Sequence, residues 1–271
     1  MSDDTYFEAS FDDEPKHGPQ NNIDSREKND GMTYSIARVF GYMFMWLAIT
    51  TVICLGLAFF LNYLLTTTTD EEALANIFLG IIVAAIISGI GVIVMTIVTH
   101  AFLFKGKHSV AVPAAIYSVF MGVLMGVLAG IIAYFYANGW YVIGLSFGVT
   151  TLIFGIMALI GLAAKSKLNG LLIVGMGLFF GLLIMSGVMF IIMFFFPEIY
   201  EWWYWVLTLG LLAAVMLTTI WDLRNVKTLA EKGALNKNVS MYIAFNLYVD
   251  FIYILMRVLN IVLRIVGRAK R

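Results

Sequence analysis

The sequence predicts an all-α integral membrane protein with seven transmembrane helices, and three observations lead to this fold class. First, 61% of the 271 residues are hydrophobic and only 13% are charged, whereas soluble domains carry about 25% charged residues. Second, the chain contains seven apolar runs, and a helix crosses a bilayer with roughly 20 apolar residues. Third, these runs lack the alternating polar pattern of a membrane β-strand. Helices are therefore expected throughout the membrane domain.

The N-terminal segment is polar and precedes the first span. Nine of the 17 acidic residues lie in the first 30 positions. The segment has neither the basic start nor the apolar stretch of a signal peptide. Its low hydrophobicity predicts disorder. We expect residues 1–33 to form a disordered, acidic cytoplasmic tail and residues 34–271 to form the seven-helix transmembrane domain.

Seven predicted spans follow the tail, separated by charged residues and turn residues. They lie near residues 38–65, 73–104, 110–136, 141–164, 169–196, 202–222 and 240–263. Small residues recur at every fourth position in three of these spans, which predicts close packing between helices. The small residues are Gly80, Ala84 and Ser88 in the second span, Gly122, Gly126 and Gly130 in the third, and Gly177 and Gly181 in the fifth.

The distribution of Lys and Arg predicts the orientation. Loops one, three and five contain no Lys and no Arg. The N-terminal tail and loops two, four and six each contain at least one Lys or Arg. Because basic loops stay in the cytoplasm, the N-terminus is expected there. The last segment breaks this alternation, since spanning would place the basic C-terminal residues outside. We expect a true span because the segment is long enough to cross; the alternative is a segment that enters the membrane and returns.

Two carboxylates in the last third of the chain carry the functional prediction. Of the acidic residues after position 72, only Asp222 and Asp250 lie within or at the edge of an apolar span. A carboxylate inside the bilayer costs about 2.5–3.5 kcal/mol, so such residues are normally buried, paired and functional. The turn between the last two helices is expected near 233–237, and the midpoint of the two aspartates is residue 236. If the sixth helix continues through Glu231, the carboxylates lie at the same depth.

Two facing carboxylates in a low-dielectric site cannot easily both ionise, so they are expected to share a proton. When both are ionised, the site needs a cation, for example calcium, which prefers oxygen ligands. Asp222 and Asp250 therefore predict a pH-sensitive cation site. A purely structural alternative has Asp222 pairing with Arg224 or Lys227, and Asp250 linked to Arg257.

The last predicted helix carries a polar stripe along one face. Its members recur every three to four residues, which places them on one side of a helix. They are Asn246, Asp250, Tyr253, Arg257, Asn260 and Arg264. We expect this stripe to face the interior of the bundle or a water-filled path, because polar groups avoid lipid.

At these same residues the chain resembles the transmembrane Bax inhibitor motif family. The stretch LYVDFIYILMRVL, from Leu247 to Leu259, is similar to the last helix of that family, and Trp221-Asp222 resembles an aromatic-Asp pair in its sixth helix. The stretch IYSVFMGVLMGVLAG, from Ile116, resembles its third helix. The resemblance covers roughly residues 35–265. It implies seven helices with the C-terminal helix at the centre, and a pH-regulated calcium leak with Asp222 and Asp250 as the sensor.

The chain departs from the family at three places. Asp222 is followed by Leu223 and Arg224 instead of Thr-Gln; residues 73–104 contain no Arg to latch the closed aspartate pair; and Met121 replaces an acidic residue of the third helix. Arg224 or Arg257 is therefore the candidate cationic latch.

The leading functional prediction is a pH-sensitive calcium leak channel gated by Asp222 and Asp250, with the lipid bilayer, calcium and protons as partners and no other cofactor. The alternative is a non-conducting regulator that binds a membrane protease or another membrane protein; a proton-coupled transporter ranks third. No Ser-His-Asp arrangement, metalloprotease motif or P-loop is visible, so neither enzymatic activity nor nucleic-acid binding is expected. The expected location is the bacterial plasma membrane.

Overall fold

The computed structural model describes residues 20–105, 110–164 and 169–268, and these residues form seven long α-helices without any β-strand. A short 3-10 turn, Pro197–Ile199, joins the fifth helix to the sixth. The helices are α1 Gln20–Thr67, α2 Glu71–Lys105, α3 Ala111–Phe135, α4 Gly139–Ala163, α5 Asn169–Phe195, α6 Tyr200–Glu231 and α7 Lys237–Arg268. The predicted all-α fold class is confirmed.

The bounds of α2 to α5 fall within two residues of the predicted spans. The other three helices, α1, α6 and α7, extend further beyond their predicted spans. The first begins at Gln20, inside the segment predicted to be a tail; residues 1–19 lie outside the described residues, and the division of the chain at residue 33 stays a prediction. The sixth continues past Asp222 to Glu231, as the prediction for the two aspartates assumed.

Six of the seven helices in the described part, α1 to α6, are long and apolar enough to cross a membrane. The seventh differs because the polar stripe interrupts its apolar surface. It is nevertheless one unbroken helix of 32 residues, about 48 Å long at 1.5 Å per residue. An unbroken helix contains no turn at which the chain could reverse inside the membrane, and the span itself stays a prediction.

The C-terminal helix occupies the centre of the bundle. It packs against α1, α4 and α6, and more lightly against α2 and α3. Phe245 and Tyr248 of this helix are fully buried and lie against Tyr117 of α3, with ring centroids 4.9 Å and 5.9 Å from the Tyr117 ring. Phe251 contacts α4 through the ring of Phe154, 5.6 Å away. The main hydrophobic core is therefore built around α7.

The glycine face of α3 provides the close contact with α1. A Cβ atom on Gly122 would lie 2.9 Å from Ile53 Cβ, and one on Gly126 would lie 2.9 Å from Leu57 Cβ. Only glycine permits this approach of the two backbones, as predicted. The same prediction is wrong for Gly177 and Gly181 of α5 and for Gly80 of α2, because Cβ atoms on these glycines would meet nothing within 4 Å, whereas Ser88 of the α2 stripe is buried.

Candidate functional site

The turn between α6 and α7 fixes the alignment of the two helices. Gly233 has a φ of +65°, and the amides of Gly233 and Ala234 donate to Ala230 O (3.0 Å) and Leu229 O (2.9 Å). These two bonds form a Schellman motif, which ends a helix at a left-handed glycine. Asn236 then caps α7, since its Oδ1 accepts from Val239 N at 2.9 Å. The predicted position of the turn, 233–237, is confirmed.

Two contacts between α6 and α7 show how the helices are paired. Thr219 Oγ1 lies 3.0 Å from Asp250 Oδ2. Farther from the turn, the guanidinium of Arg264 stacks on the ring of Tyr204, 3.2 Å from its centroid. In each pair, the sequence midpoint between the two residues lies within one residue of Ala234, which belongs to the turn. The helices therefore run antiparallel without a shift in register.

In this register Asp250 lies level with Thr219, and Asp222 lies three residues further along α6, about one helical turn nearer the α6–α7 turn, so the predicted equal depth is wrong by about one turn. Both side chains are partly buried, and Asp222 shares a face of α6 with Thr219, whose hydroxyl lies 3.0 Å from Asp250 Oδ2. Two carboxylates in this arrangement repel each other when both are ionised, and the low dielectric inside a bundle strengthens the repulsion. The pair can relieve it by holding one proton between them or by binding a cation.

Thr219 is a member of the site that sequence reasoning missed. Its side chain is fully buried, and its single hydroxyl hydrogen has two acceptors within reach, Val215 O at 2.7 Å and Asp250 Oδ2 at 3.0 Å. The hydroxyl can donate to an ionised Asp250, or accept from a protonated one while it donates to Val215 O. The sequence did indicate Thr219, because Thr219 and Asp222 are three residues apart and therefore share a helix face.

A second buried hydrogen-bond network ties α7 to α1 and α3 beside the aspartates. The hydroxyls of Tyr248 and Thr50 are 2.6 Å apart, and Thr50 Oγ1 also donates to Ser118 O at 3.1 Å. All three residues are buried. Tyr248 lies two residues before Asp250, so this network holds the segment of α7 that carries the carboxylate.

The polar stripe of α7 is not enclosed along its whole length. Asn246, Asp250 and Arg257 are partly buried. Tyr253 is 57% exposed and Asn260 is also exposed. These two residues do not face the interior of the bundle, and the alternative of a water-filled path beside them stays a prediction. The stripe lies on the least covered side of α7, because the buried residues of this helix occupy its other faces.

The basic residues near the aspartates point mostly to other partners. Arg224 NH1 lies 3.9 Å from Glu231 Oε1, and Lys227 Nζ donates to Leu162 O of α4 at 2.7 Å. Arg257 forms no hydrogen bond or ion pair with the residues that the structure describes. The structural alternative of an Asp222–Lys227 or Asp250–Arg257 pair is not formed, and a latch role for Arg224 or Arg257 stays a prediction.

The aspartate pair is a limited set of metal ligands. Among the described residues, no three or more His, Cys, Asp and Glu side chains come together. Calcium takes about six to eight oxygen ligands, more than two carboxylates and the Thr219 hydroxyl provide. A cation at this place would therefore retain part of its water, which fits an ion that passes through better than one that is held permanently.

Fold and site together define a helical integral membrane protein with a pair of carboxylates inside its bundle. The chain belongs to the Bax1-I family, described as "Inhibitor of apoptosis-promoting Bax1", which matches residues 33–267. The suspected family is thereby confirmed. The comparison with curated proteins and the comparison with solved structures both give no match.

Proposed function

We propose that the protein is a pH-sensitive leak channel that lets cations, calcium in particular, pass down their gradient under control of Asp222 and Asp250. The observation that carries the proposal is the position of these two carboxylates at the interface of α6 and α7: Asp250 Oδ2 lies 3.0 Å from Thr219 Oγ1, and Asp222 follows Thr219 one turn along the same face of α6. Carboxylates inside a membrane domain are costly and mark ion or proton pathways by default. The resemblance to the transmembrane Bax inhibitor motif family supports the same role, because a two-aspartate sensor is the family feature that these residues match.

In this proposal the pair changes its net charge as protons bind. With one shared proton the two carboxylates attract each other through a hydrogen bond, and with none they repel. The repulsion acts between α6 and α7, and α7 contacts most of the bundle. A change in proton occupancy therefore acts on the helix whose position determines how the bundle packs.

The test is calcium flux into liposomes that contain the purified protein, from acidic to mildly alkaline pH. The variants are Asp222→Asn and Asp250→Asn, with Glu198→Gln as control, because Glu198 is an exposed carboxylate in the 3-10 turn. We expect pH-dependent flux in the wild type and in the control, and loss of the pH dependence in both Asn variants. Flux no greater than that of empty liposomes at every pH would contradict the proposal.

A non-conducting regulator is the second candidate, and one observation favours it. The description of the family names inhibition of another protein, which a membrane-embedded binding partner could accomplish without any ion flow. A membrane protease or another membrane protein is the partner that this reading requires. Absence of flux together with a stable complex in detergent extracts would support it.

The remaining features of the proposal concern location and chemistry. We propose the bacterial plasma membrane as the location, and the Lys and Arg pattern of the loops supports an N-terminus in the cytoplasm. Basic residues of two of these loops, Lys107, Lys165 and Lys167, lie outside the described residues. The proposed role involves no catalysis and no cofactor other than the permeating ion.

A further inference from the structure

An apolar cavity of about 330 Å³ lies between α1, α3, α4 and α7, apart from the aspartate pair. Pockets that bind small molecules occupy about 300–1,000 Å³, so the cavity is large enough for a ligand. Its walls are formed almost entirely by apolar side chains, among them Leu55, Met125, Phe147, Phe251 and Leu259. A cavity with such walls excludes water and accepts apolar groups.

The cavity offers few polar groups to a headgroup or an ion. The Thr50 hydroxyl is already engaged with Tyr248 and Ser118 O. Thr51 and the thiol of Cys54 are the other polar members of the lining. No Asp, Glu, Lys, Arg or His is among the lining residues. The chemistry of the cavity therefore selects a hydrocarbon chain and offers nothing to a cation.

The cavity opens between α1 and α4 toward the bilayer. Leu55 on α1 and Phe147 on α4 line it and are 39% and 41% exposed, whereas Met125 and Leu259 at its back are 7% and 6% exposed. The stacked rings of Phe59 and Trp140, 4.3 Å apart, join α1 and α4 on the side of the α3–α4 turn. The opening is thus a lateral gap bounded at one end by two aromatic rings.

The depth of the gap matches the position of lipid tails. Its α4 residues, Ile143 to Phe147, lie four to eight residues from the start of α4 at Gly139, about 6–12 Å along the helix axis at 1.5 Å per residue. In a bilayer, acyl chains are the apolar groups present at high concentration at that depth. A chain entering the gap would reach Phe251 and Ile252, the two residues that follow Asp250.

We propose that this cavity is a lipid site, which takes one acyl chain of a phospholipid from the leaflet on the side of the α3–α4 turn. The site is independent of the proposed ion conduction, because it requires only the cavity and its lateral opening.

The experiment uses the full-length protein in phosphatidylcholine vesicles that contain phosphatidylcholine with a diazirine in one acyl chain. After irradiation, peptide mass spectrometry locates the adducts. Phe194 of α5 is 84% exposed and serves as the internal standard for ordinary lipid contact. We expect adducts on Met125 or Leu259 as well as on Phe194. Adducts on Phe194 with none on the back wall would overturn the proposal.

Two variants close the site in different ways, and a third variant serves as the control. Gly144 lines the opening, and a Cβ atom on it would meet nothing within 4 Å, so Gly144→Phe should obstruct the gap; Ala129→Leu fills the back wall. Gly155→Phe is the control, because Gly155 is an exposed glycine of the same helix outside the lining. We expect the first two variants to lose back-wall adducts and the control to keep them. Back-wall labelling that survives both obstructing variants would contradict the proposal.

A short alkyl diazirine, added to vesicles of unlabelled lipid, separates a lipid site from a cavity that accepts only small solutes. If the cavity is a lipid site, the lipid probe should label its back wall. Lipid that occupies the cavity should also reduce labelling of the back wall by the alkyl probe. Back-wall labelling by the alkyl probe but not by the lipid probe would overturn the proposal.

Discussion

The fifth and seventh helices are the two extremes of this bundle. The fifth has no charged residue between 170 and 195, packs against α6 and the turn that follows it, and buries only Gly175 among its described residues. The seventh carries Asp250 and Arg257 and packs against five other helices. The most uniformly apolar helix is thus peripheral and the amphipathic one is central. In a bilayer the surrounding solvent is itself apolar, so polarity and not hydropathy indicates which helix the others enclose.

Truncation of an aromatic ring should have opposite consequences in the two helices. Phe245→Ala removes a fully buried ring of α7, whereas Phe190→Ala removes a ring of α5 that is 76% exposed. Large-to-small changes of this kind in a packed core cost about 3–5 kcal/mol. We expect that loss for Phe245→Ala and almost none for Phe190→Ala, measured as the free energy of unfolding in mixed micelles. Equal losses would show that α7 is not the packed centre.

A carboxylate should be tolerated in α7 and rejected in α5. Ile184, near the middle of α5, is 66% exposed, and Ile184→Asp would place a charge against lipid. The expected cost is about 2.5–3.5 kcal/mol, which would appear as reduced insertion of α5 in a membrane-insertion assay. Ile184→Ser is the control for loss of the apolar side chain. Insertion of the Asp variant at the level of the Ser control would contradict the account.

Loss of the Thr219 hydroxyl should shift the pH response. The bond from Thr219 to an ionised Asp250 is charge-assisted and therefore stronger than the bond made with the neutral acid, so Thr219→Val disfavours the ionised form. Such a bond contributes about 1.5 kcal/mol, and one pH unit corresponds to about 1.4 kcal/mol. We expect the midpoint of calcium flux against pH to move upward by about one unit.

The neighbouring Thr218 provides the matched control, because its hydroxyl bonds only to carbonyls of its own helix, Ala214 O at 3.3 Å and Val215 O at 2.9 Å. Thr218→Val should leave the midpoint unchanged. An equal shift in both variants would mean that the effect comes from the helix and not from Asp250.

The smallest expected effect concerns the network between α7 and α1. Tyr248→Phe removes the hydroxyl that lies 2.6 Å from Thr50 Oγ1 and retains the buried ring. Because Thr50 still donates to Ser118 O, the cost should be about 1 kcal/mol, the net value of a buried hydrogen bond. Tyr253→Phe, on an exposed ring of the same helix, should cost nothing measurable in the same unfolding assay. A cost for Tyr253→Phe as large as that for Tyr248→Phe would contradict this assignment.

The alignment of the aspartates could be predicted from the sequence because local rules determine it. Gly233 and Asn236 are the residues that end one helix and begin the next, and counting from the turn brings Asp222 and Asp250 to within about one helical turn of each other. The number and approximate bounds of the helices were predictable for a similar reason, since hydropathy reports the length of each apolar run.

The sequence could not predict what each helix face contacts. Periodicity shows which residues share a face of a helix, but it does not show whether another helix packs against that face. Gly126 and Gly177 have the same spacing to neighbouring glycines, yet only Gly126 has a helix packed against it. Tyr253 belongs to the polar stripe but lies at a surface that other helices leave open. The partner of Lys227, the Leu162 carbonyl of α4, likewise depends on tertiary packing and not on the sequence separation of Lys227 from Asp222.

The central claim is that Asp222 and Asp250 act as one unit, and a double-mutant cycle of calcium flux tests it most directly. The four proteins are the wild type, Asp222→Asn, Asp250→Asn and the double variant, each reconstituted in liposomes and measured over the same pH range. Coupled groups give strongly non-additive effects. The account predicts that either single variant loses the pH dependence and that the double variant resembles the singles. A pH response that survives in one single variant, or a double variant that shows the sum of two separate effects, would contradict it.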